Sequence, residues 1–360
     1  MIRVLNIIGR MNTGGAETFI MNVYRNLDRE KVQFDFVVHT KEKCDYDDEI
    51  TKLGGKIYRI PSLSRHPIKN LIGLKNVFKN TKYSIVHRHT NTSMIFTDLI
   101  VAKIMGVKKI IVHSHSTNAK NPILHKIFRP LMCKLATIKY ACSKEAGEWL
   151  FGRNEKFEII TNGIDIEKYK FNREVREEVR KELNIANEEI LIGHVGRFNI
   201  AKNHEFLIDI FNEFQKSNNS KLILLGTGNL ENKIKEKVAK LNLQDKVIFL
   251  GVRNDVHRIM QAMDLFVFPS LYEGLPLTLV EAQAAGLDIL ASSVITKECN
   301  ITGSIKYYDI EKPAMEWKKQ LEEIIKEKHS RNTDVTGLYK NGFDSKMTAE
   351  KLQLEYLKQI

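Results

Sequence analysis

Cysteine is scarce in this sequence: four in 360 residues, Cys44, Cys133, Cys142 and Cys299. They lie far apart and without C-x-x-C spacing, which argues against a zinc ribbon or a redox pair and leaves free, partly buried thiols. Long hydrophobic runs are missing as well. Leu222 to Leu225 and Leu265 to Phe268 are typical, far short of the roughly 18 to 20 residues that span a bilayer, so no membrane-crossing helix is expected. The N-terminus, Met1-Ile2-Arg3-Val4-Leu5-Asn6-Ile7-Ile8-Gly9, lacks the h-region and cleavage site of a signal peptide. It reads as a buried strand, and a cytoplasmic location is expected. Repeats and low-complexity tracts are absent too.

What is present is a folded, basic chain. Lys and Arg number 56 against 44 Asp and Glu, a net charge of +12, and 43% of residues are hydrophobic, with 17 Phe among them. That apolar content supports real cores, and at roughly 100 to 200 residues per domain the length suggests two of them. The positive charge suits nucleic acid, an anionic membrane surface or a phosphorylated small substrate, so its location has to decide. No RNA- or DNA-binding motif accompanies it, and a nucleic-acid partner is not expected.

Apolar β-rich runs alternate with amphipathic helical stretches from end to end, the pattern of parallel sheets wrapped by helices. Strands are expected at 4–8, 34–38, 56–60, 85–87, 109–112, 138–141, 157–160, 191–195, 221–225, 247–250, 265–268 and 288–291. Twelve are too many for one ordinary sheet and suit two doubly wound sheets of six. The clearest divide follows Thr161-Asn162-Gly163-Ile164-Asp165, where a turn-forming Asn-Gly precedes the charged helical stretch 173–182. Domain one is expected over 1–163 and domain two over 164–344, with a helix at about 345–360 returning to the first. The polar stretch 326–341 carries few signals and reads as mobile.

Several stretches are suited to chemistry. After the first strand, Gly14 and Gly15 open a helix, where a ligand can approach backbone N–H groups at the positive end of the helix, although a simple tight turn explains them equally well. Neither a Walker A loop nor G-x-G-x-x-G is present there, which argues against ATP hydrolysis and a dinucleotide site. Gly196-Arg197-Phe198 follows the first strand of domain two, with Lys202 five residues beyond Arg197; the two cations can clamp a diphosphate or stand as an ordinary solvated pair. Gly226 and Gly228 end another strand. The stretch from Phe268 to Gly286 leaves a strand, passes through Glu273-Gly274-Leu275-Pro276 and enters a helix holding Glu281, eight positions past Glu273. Two carboxylates so placed can divide two tasks.

Together, and in this order along nearly the whole chain, these stretches resemble the retaining glycosyltransferases of family 4, whose E-x7-E signature matches Glu273 and Glu281. Gly-Arg-x-x-x-x-Lys, Gly-x-Gly and Asn-Gly-Ile-Asp match in turn. The His-x-His motifs and the Thr-Lys-Glu at 296–298 are most similar to bacterial enzymes that build capsular or exopolysaccharide. The resemblance implies a GT-B fold, two facing Rossmann-like domains of α/β class, closing over a nucleotide-diphosphate sugar, with a UDP-sugar the expected donor. It implies that Glu281 binds the ribose, that Glu273 contacts the transferred sugar, and that Arg197 and Lys202 neutralise the leaving diphosphate without a metal or other cofactor. Gly14, Gly15, Gly196, Gly226, Gly228, Gly274, Leu275 and Pro276 would line the donor and acceptor sites. Where the family commonly has Gly-x-Pro, this chain reads Gly286-Leu287-Asp288. The acceptor would be a glycan or a lipid-linked oligosaccharide of a cell-surface polysaccharide. A UDP-sugar epimerase of the same fold is the first alternative, and a basic nucleic-acid-binding protein a more distant one.

His87-Arg88-His89 and His113-Ser114-His115 each follow a first-domain strand in this reading. The resemblance puts a histidine near the donor sugar, and His113 is the match, with His115 a close rival. Metal binding by the two pairs lacks an accompanying carboxylate motif, and packing histidines are an alternative to both. Asp45-Tyr46-Asp47 precedes a helix and reads as a cap rather than a metal site. Finally, Lys120, Lys126, Arg129, Lys134 and Lys139 surround Ile123, Leu124, Ile127, Phe128, Leu131 and Met132. That is a basic amphipathic helix, suited to peripheral contact with the inner face of an anionic membrane or to ordinary packing with solvated lysines.

Overall fold

The computed structural model describes residues 1–117, 119, 121–327, 331 and 333–358. The chain divides into two compact units, Met1–Gly163 with Gly342–Ile360, and Ile164–Asn341.

The first unit is built on seven strands: β1 (Ile2–Ile8), β2 (Val32–Val38), β3 (Ile57–Arg59), β4 (Ile85–Thr90), β5 (Lys109–Ser114), β6 (Ile138–Ala141) and β7 (Glu158–Ile159). They are hydrogen-bonded in the order β3-β2-β1-β4-β5-β6-β7, all parallel. Helices cover both faces, so the central strands are apolar almost throughout, and two cores form on opposite sides of the sheet. One contains Phe19, Tyr24, Phe34 and Phe36, the other Leu74, Leu99, Val112 and Phe151. The C-terminal helix Ser345–Leu357 joins the first of these through Ala349, Leu352 and Tyr356, packing on the helix Gly15–Asn26. Gln353 accepts the backbone N–H of Asp28 at 2.7 Å and anchors it there.

The second unit has six strands: β8 (Ile190–Val195), β9 (Ser220–Leu225), β10 (Val247–Gly251), β11 (Leu265–Phe268), β12 (Asp288–Ser292) and β13 (Ile305–Tyr308). Their order is β10-β9-β8-β11-β12-β13, again parallel. Cores around Phe266 and Phe268 on one face and Phe211, Phe214 and Trp317 on the other close it. In both sheets the order reverses beside the first strand, at β1/β4 and at β8/β11. Ligands of such folds bind outside the carboxyl ends of strands at that switch point.

Two expectations about the strands need correction. Among the described residues the sheets hold seven and six strands, not six each; β13 was missed because Ile-Lys-Tyr-Tyr is short and interrupted by a charge. The histidine pairs do not follow their strands: His87 and His89 lie inside β4 and His113 inside β5, with only His115 beyond. Polar residues suggested strand ends there, yet these are buried and hydrogen-bonded within the sheet layer. Within 326–341, the segment Thr336–Lys340 is helical; residues 328–330 and 332 of it lie outside the described residues.

Candidate active site

In the second unit, β8 runs out at Val195 into a loop through Gly196, Arg197 and Lys202. The stem of Lys202 crosses Gly196, where a Cβ would sit 3.0 Å from its Cδ and Cε. Its ammonium lies 2.7 Å from Glu273 Oε1, the two side chains being 14% and 18% exposed, and 4.5 Å from the Phe268 ring centroid at the end of β11. The approach is poorly aligned for hydrogen bonding, and Glu273 Oε1 has no hydrogen-bond partner among the described residues. The buried Ser270 Oγ and Thr278 Oγ1 are likewise unpartnered there. Thr278 stands in the first turn of the helix Leu277–Ala284, where backbone N–H groups lack intrahelical acceptors. A lysine, a carboxylate, two spare hydroxyls and a helix N-terminus therefore gather at one sheet edge.

Glu281 follows one turn further along that helix and accepts a hydrogen bond from the Tyr169 hydroxyl. Burial pushes its carboxyl up to about 7, against the opposing pull of the Tyr169 hydrogen bond and the Lys202 charge. Burial, and then the Glu281 charge, raise the Tyr169 phenol, which stays protonated. The other expected residues fall around this group. Arg197 is exposed, Gly274 is exposed with open space where a side chain would project, Leu275 packs on the core, and Pro276 is buried ahead of the helix. Gly226 and Gly228 are required by packing: a Cβ on Gly226 would meet Gly196 O at 2.2 Å, and one on Gly228 would meet Phe198 O at 2.3 Å. Their missing side chains let the β9 loop press against the β8 loop, which shapes the site through backbone.

In the first unit, the loop after β1 carries Gly14, whose extended backbone begins the helix Gly15–Asn26. Asp45 accepts from Thr13 N at 2.8 Å and Thr13 Oγ1 at 3.0 Å, and its own N–H donates to Asn12 Oδ1. The capping expectation for Asp45 and Asp47 is thereby corrected: Asp45 ties down the glycine loop, and Asp47 accepts from Cys44 N at 2.7 Å and pairs with Arg59.

The two-residue period of β4 and β5 puts His87, His89 and His113 on one face of the sheet, with His115 continuing the row. His87 Nδ1 is 2.7 Å from Tyr356 Oη and its Nε2 3.3 Å from His113 Nδ1. His89 Nε2 is 3.1 Å from Asn6 Oδ1 and its Nδ1 2.9 Å from His115 Nε2. Burial lowers all four, to about 3 for His87 and His115 and well below the usual value for His89 and His113, so they are neutral imidazoles. Ring nitrogens of His87, His89 and His113 lie within 4.8 Å of one another. Both nitrogens of His87 and of His89 are already hydrogen-bonded, and so is Nδ1 of His113. A cavity of about 360 Å³ opens beside this row, lined by Gly15, Glu17, His89, Thr90, His115 and Ser116 among others.

Sequence reasoning gave no site role to Tyr169, Phe268, Glu17, Asn6 or Tyr356. Tyr169 and Tyr356 carry no local motif, since each meets its partner only through the fold.

Two doubly wound parallel units, one with a Lys–Glu–Glu constellation at its switch point, define a GT-B glycosyltransferase architecture. The family described as Glycosyltransferase Family 4 matches residues 13–168, and that described as Glycosyl transferases group 1 matches residues 175–335. EpsF of Bacillus subtilis (strain 168) is 38% identical over 329 residues, covering 88% of this chain and 85% of its own. The UDP-Gal:alpha-D-GlcNAc-diphosphoundecaprenol alpha-1,3-galactosyltransferase of Escherichia coli is 29% identical, covering 78% and 76%. Among solved structures, Anabaena Alr3699/HepE in complex with UDP-glucose superposes with a TM-score of 0.76 at 18% identity over 100% of both chains. The chain belongs to the family 4 glycosyltransferases and is an enzyme of that class.

Proposed function

We propose that the chain transfers a sugar from a UDP-sugar to a lipid-linked glycan of a cell-surface polysaccharide, with retention of anomeric configuration. The observation that carries this reading is the Lys202–Glu273 pair over Phe268, with Glu281 one helix turn beyond. Lys202 and Arg197 supply positive charge for the departing diphosphate, the task a divalent cation performs elsewhere, and turnover is accordingly metal-independent. Glu281, held by Tyr169, accepts the ribose hydroxyls, and Glu273 accepts a hydroxyl of the transferred sugar. His113, with His115 beside it, serves the donor sugar from the first unit. Attack on the face of departure, without a covalent glycosyl-enzyme, accounts for retention. Two relatives support the donor and acceptor: HepE was solved with UDP-glucose, and the E. coli enzyme is named for UDP-Gal and a diphosphoundecaprenol acceptor.

The acceptor reading has support in the first unit as well. On the helix Pro122–Leu135, Ile123 is 71% and Ile127 61% exposed, and Leu124 and Leu131 are also exposed. Lys126 and Lys134 flank them in solvent. An ordinary amphipathic helix buries its apolar stripe, whereas this one leaves apolar side chains among cations, the composition that seats a helix on an anionic bilayer. Lys139 does not share this face, because it lies on β6 and pairs with Glu155 at 2.6 Å. Lys120 lies outside the described residues.

The test is UDP release by purified protein over a panel of UDP-sugars, with EDTA present and with or without diphosphate-lipid-linked acceptors. Release from one donor that needs the acceptor and an intact Glu273, with an α-configured product, is the expected result. Nucleotide binding without acceptor-dependent release from any donor would refute it.

A further inference from the structure

We propose that Tyr356, on the C-terminal helix, is a positioning residue for His113, acting through His87. The proposal rests on the reading that His113 contacts the transferred sugar.

Tyr356 is fully buried, and its hydroxyl has one partner among the described residues, His87 Nδ1 at 2.7 Å. A buried phenol needs an acceptor for its proton. His87 Nδ1 supplies one when His87 carries its proton on Nε2. That Nε2–H then donates to His113 Nδ1, 3.3 Å away, the ring planes being only 8° apart. His113 is thereby held as the Nε2–H tautomer, and its buried Nε2, which has no partner among the described residues, is an N–H donor. The opposite polarity leaves the phenol proton without an acceptor.

A second relay runs beside the first with the reverse outcome. Asn6 Oδ1 accepts from His89 Nε2–H, and His89 Nδ1 accepts from His115 Nε2–H. His115 Nδ1 is left as a bare acceptor, buried and unpartnered among the described residues. The His113 and His115 rings stack with centroids 4.2 Å apart. The two adjacent rings thus differ in polarity, a donor on the buried His113 and an acceptor on His115, which lines the cavity. The C-terminal helix thus does more than fill the core. Lys109 Nζ donates to the Glu355 carbonyl and pairs with the Glu355 carboxylate, holding the helix end that places the phenol.

The experiment uses the full-length protein labelled with 15N-histidine, whose two-bond 1H–15N spectrum reads each tautomer. His87 and His113 are expected as neutral Nε2–H forms. In Tyr356→Phe the single tautomer of both should be lost. The kcat should fall about tenfold, the range for losing the group that orients a functional imidazole, while UDP affinity and the thermal midpoint stay near wild type. His87→Gln, whose amide can still donate to His113 Nδ1, should retain more kcat than His87→Leu. A His113 Nδ1–H tautomer, a wild-type kcat in Tyr356→Phe, or a stoichiometric metal ion bound by the row would overturn the proposal. His113→Ala with unchanged kinetics would instead remove the sugar-contact reading, and the spectrum would still decide the relay.

Discussion

Replacing Lys202 by Met keeps most of the stem over Gly196 and removes only the charge. The ammonium sits 2.7 Å from Glu273 and is 14% exposed, so water screens it only partly. A unit charge about 4 Å from a phosphate oxygen, at an effective dielectric of about 20, is worth about 4 kcal/mol. Loss of one such preorganised stabiliser lowers kcat by about 100- to 1000-fold. The fall should appear in kcat, because the charge on the diphosphate grows as the glycosidic bond breaks. The same substitution leaves Glu273, 18% exposed, without its cation, and should cost about 1 to 2 kcal/mol of stability. Lys202→Met/Glu273→Gln should recover that stability without recovering turnover, a separation that urea melts and initial rates of UDP release can read. A kcat within about threefold of wild type for Lys202→Met would refute the electrostatic assignment.

Three further outcomes follow from the same physics. The Glu281 carboxyl, raised to about 7, is largely protonated at pH 6 and ionised at pH 8, so UDP affinity should rise by up to about tenfold between them and lose that dependence in Glu281→Gln; calorimetric titration at the two pH values checks it. Ile123→Asp/Ile127→Asp should abolish co-sedimentation with anionic vesicles and leave UDP affinity unchanged; equal sedimentation of both proteins would remove the membrane reading. His87 and His115, lowered to about 3 in the fold against about 6.5 unfolded, contribute stability that is present above pH 6.5 and lost as pH falls towards 3. Each should cost about 2 kcal/mol at pH 5, and a flat denaturation midpoint between pH 7 and 5 would contradict their burial as neutral rings.

Much of the architecture was legible because its signals are local. Strands buried on both faces read as short apolar runs, and amphipathic helices between them imply parallel order, so Leu265–Phe268 and Ile138–Ala141 emerge with their observed bounds. Glu273 and Glu281 were legible as a pair because their spacing is short and one loop and one helix turn fix it. Strand ends were misjudged where polar residues are buried: His87, His89 and His113 suggest solvent by composition, yet they satisfy one another inside the sheet layer.

By itself, the sequence determined the class of fold, the family and the residues with chemical capacity, since periodicity, turn residues and motif spacing are properties of neighbours along the chain. Only the tertiary structure decided which of these meet. It set Lys202 against Glu273 and Phe268, Tyr169 against Glu281, and Tyr356 against His87. It also gave Gly226 and Gly228 a packing task, seating the backbone of the neighbouring loop. Hydrogen-bond polarity and burial depend on contacts between residues far apart in the chain, and no local pattern encodes them.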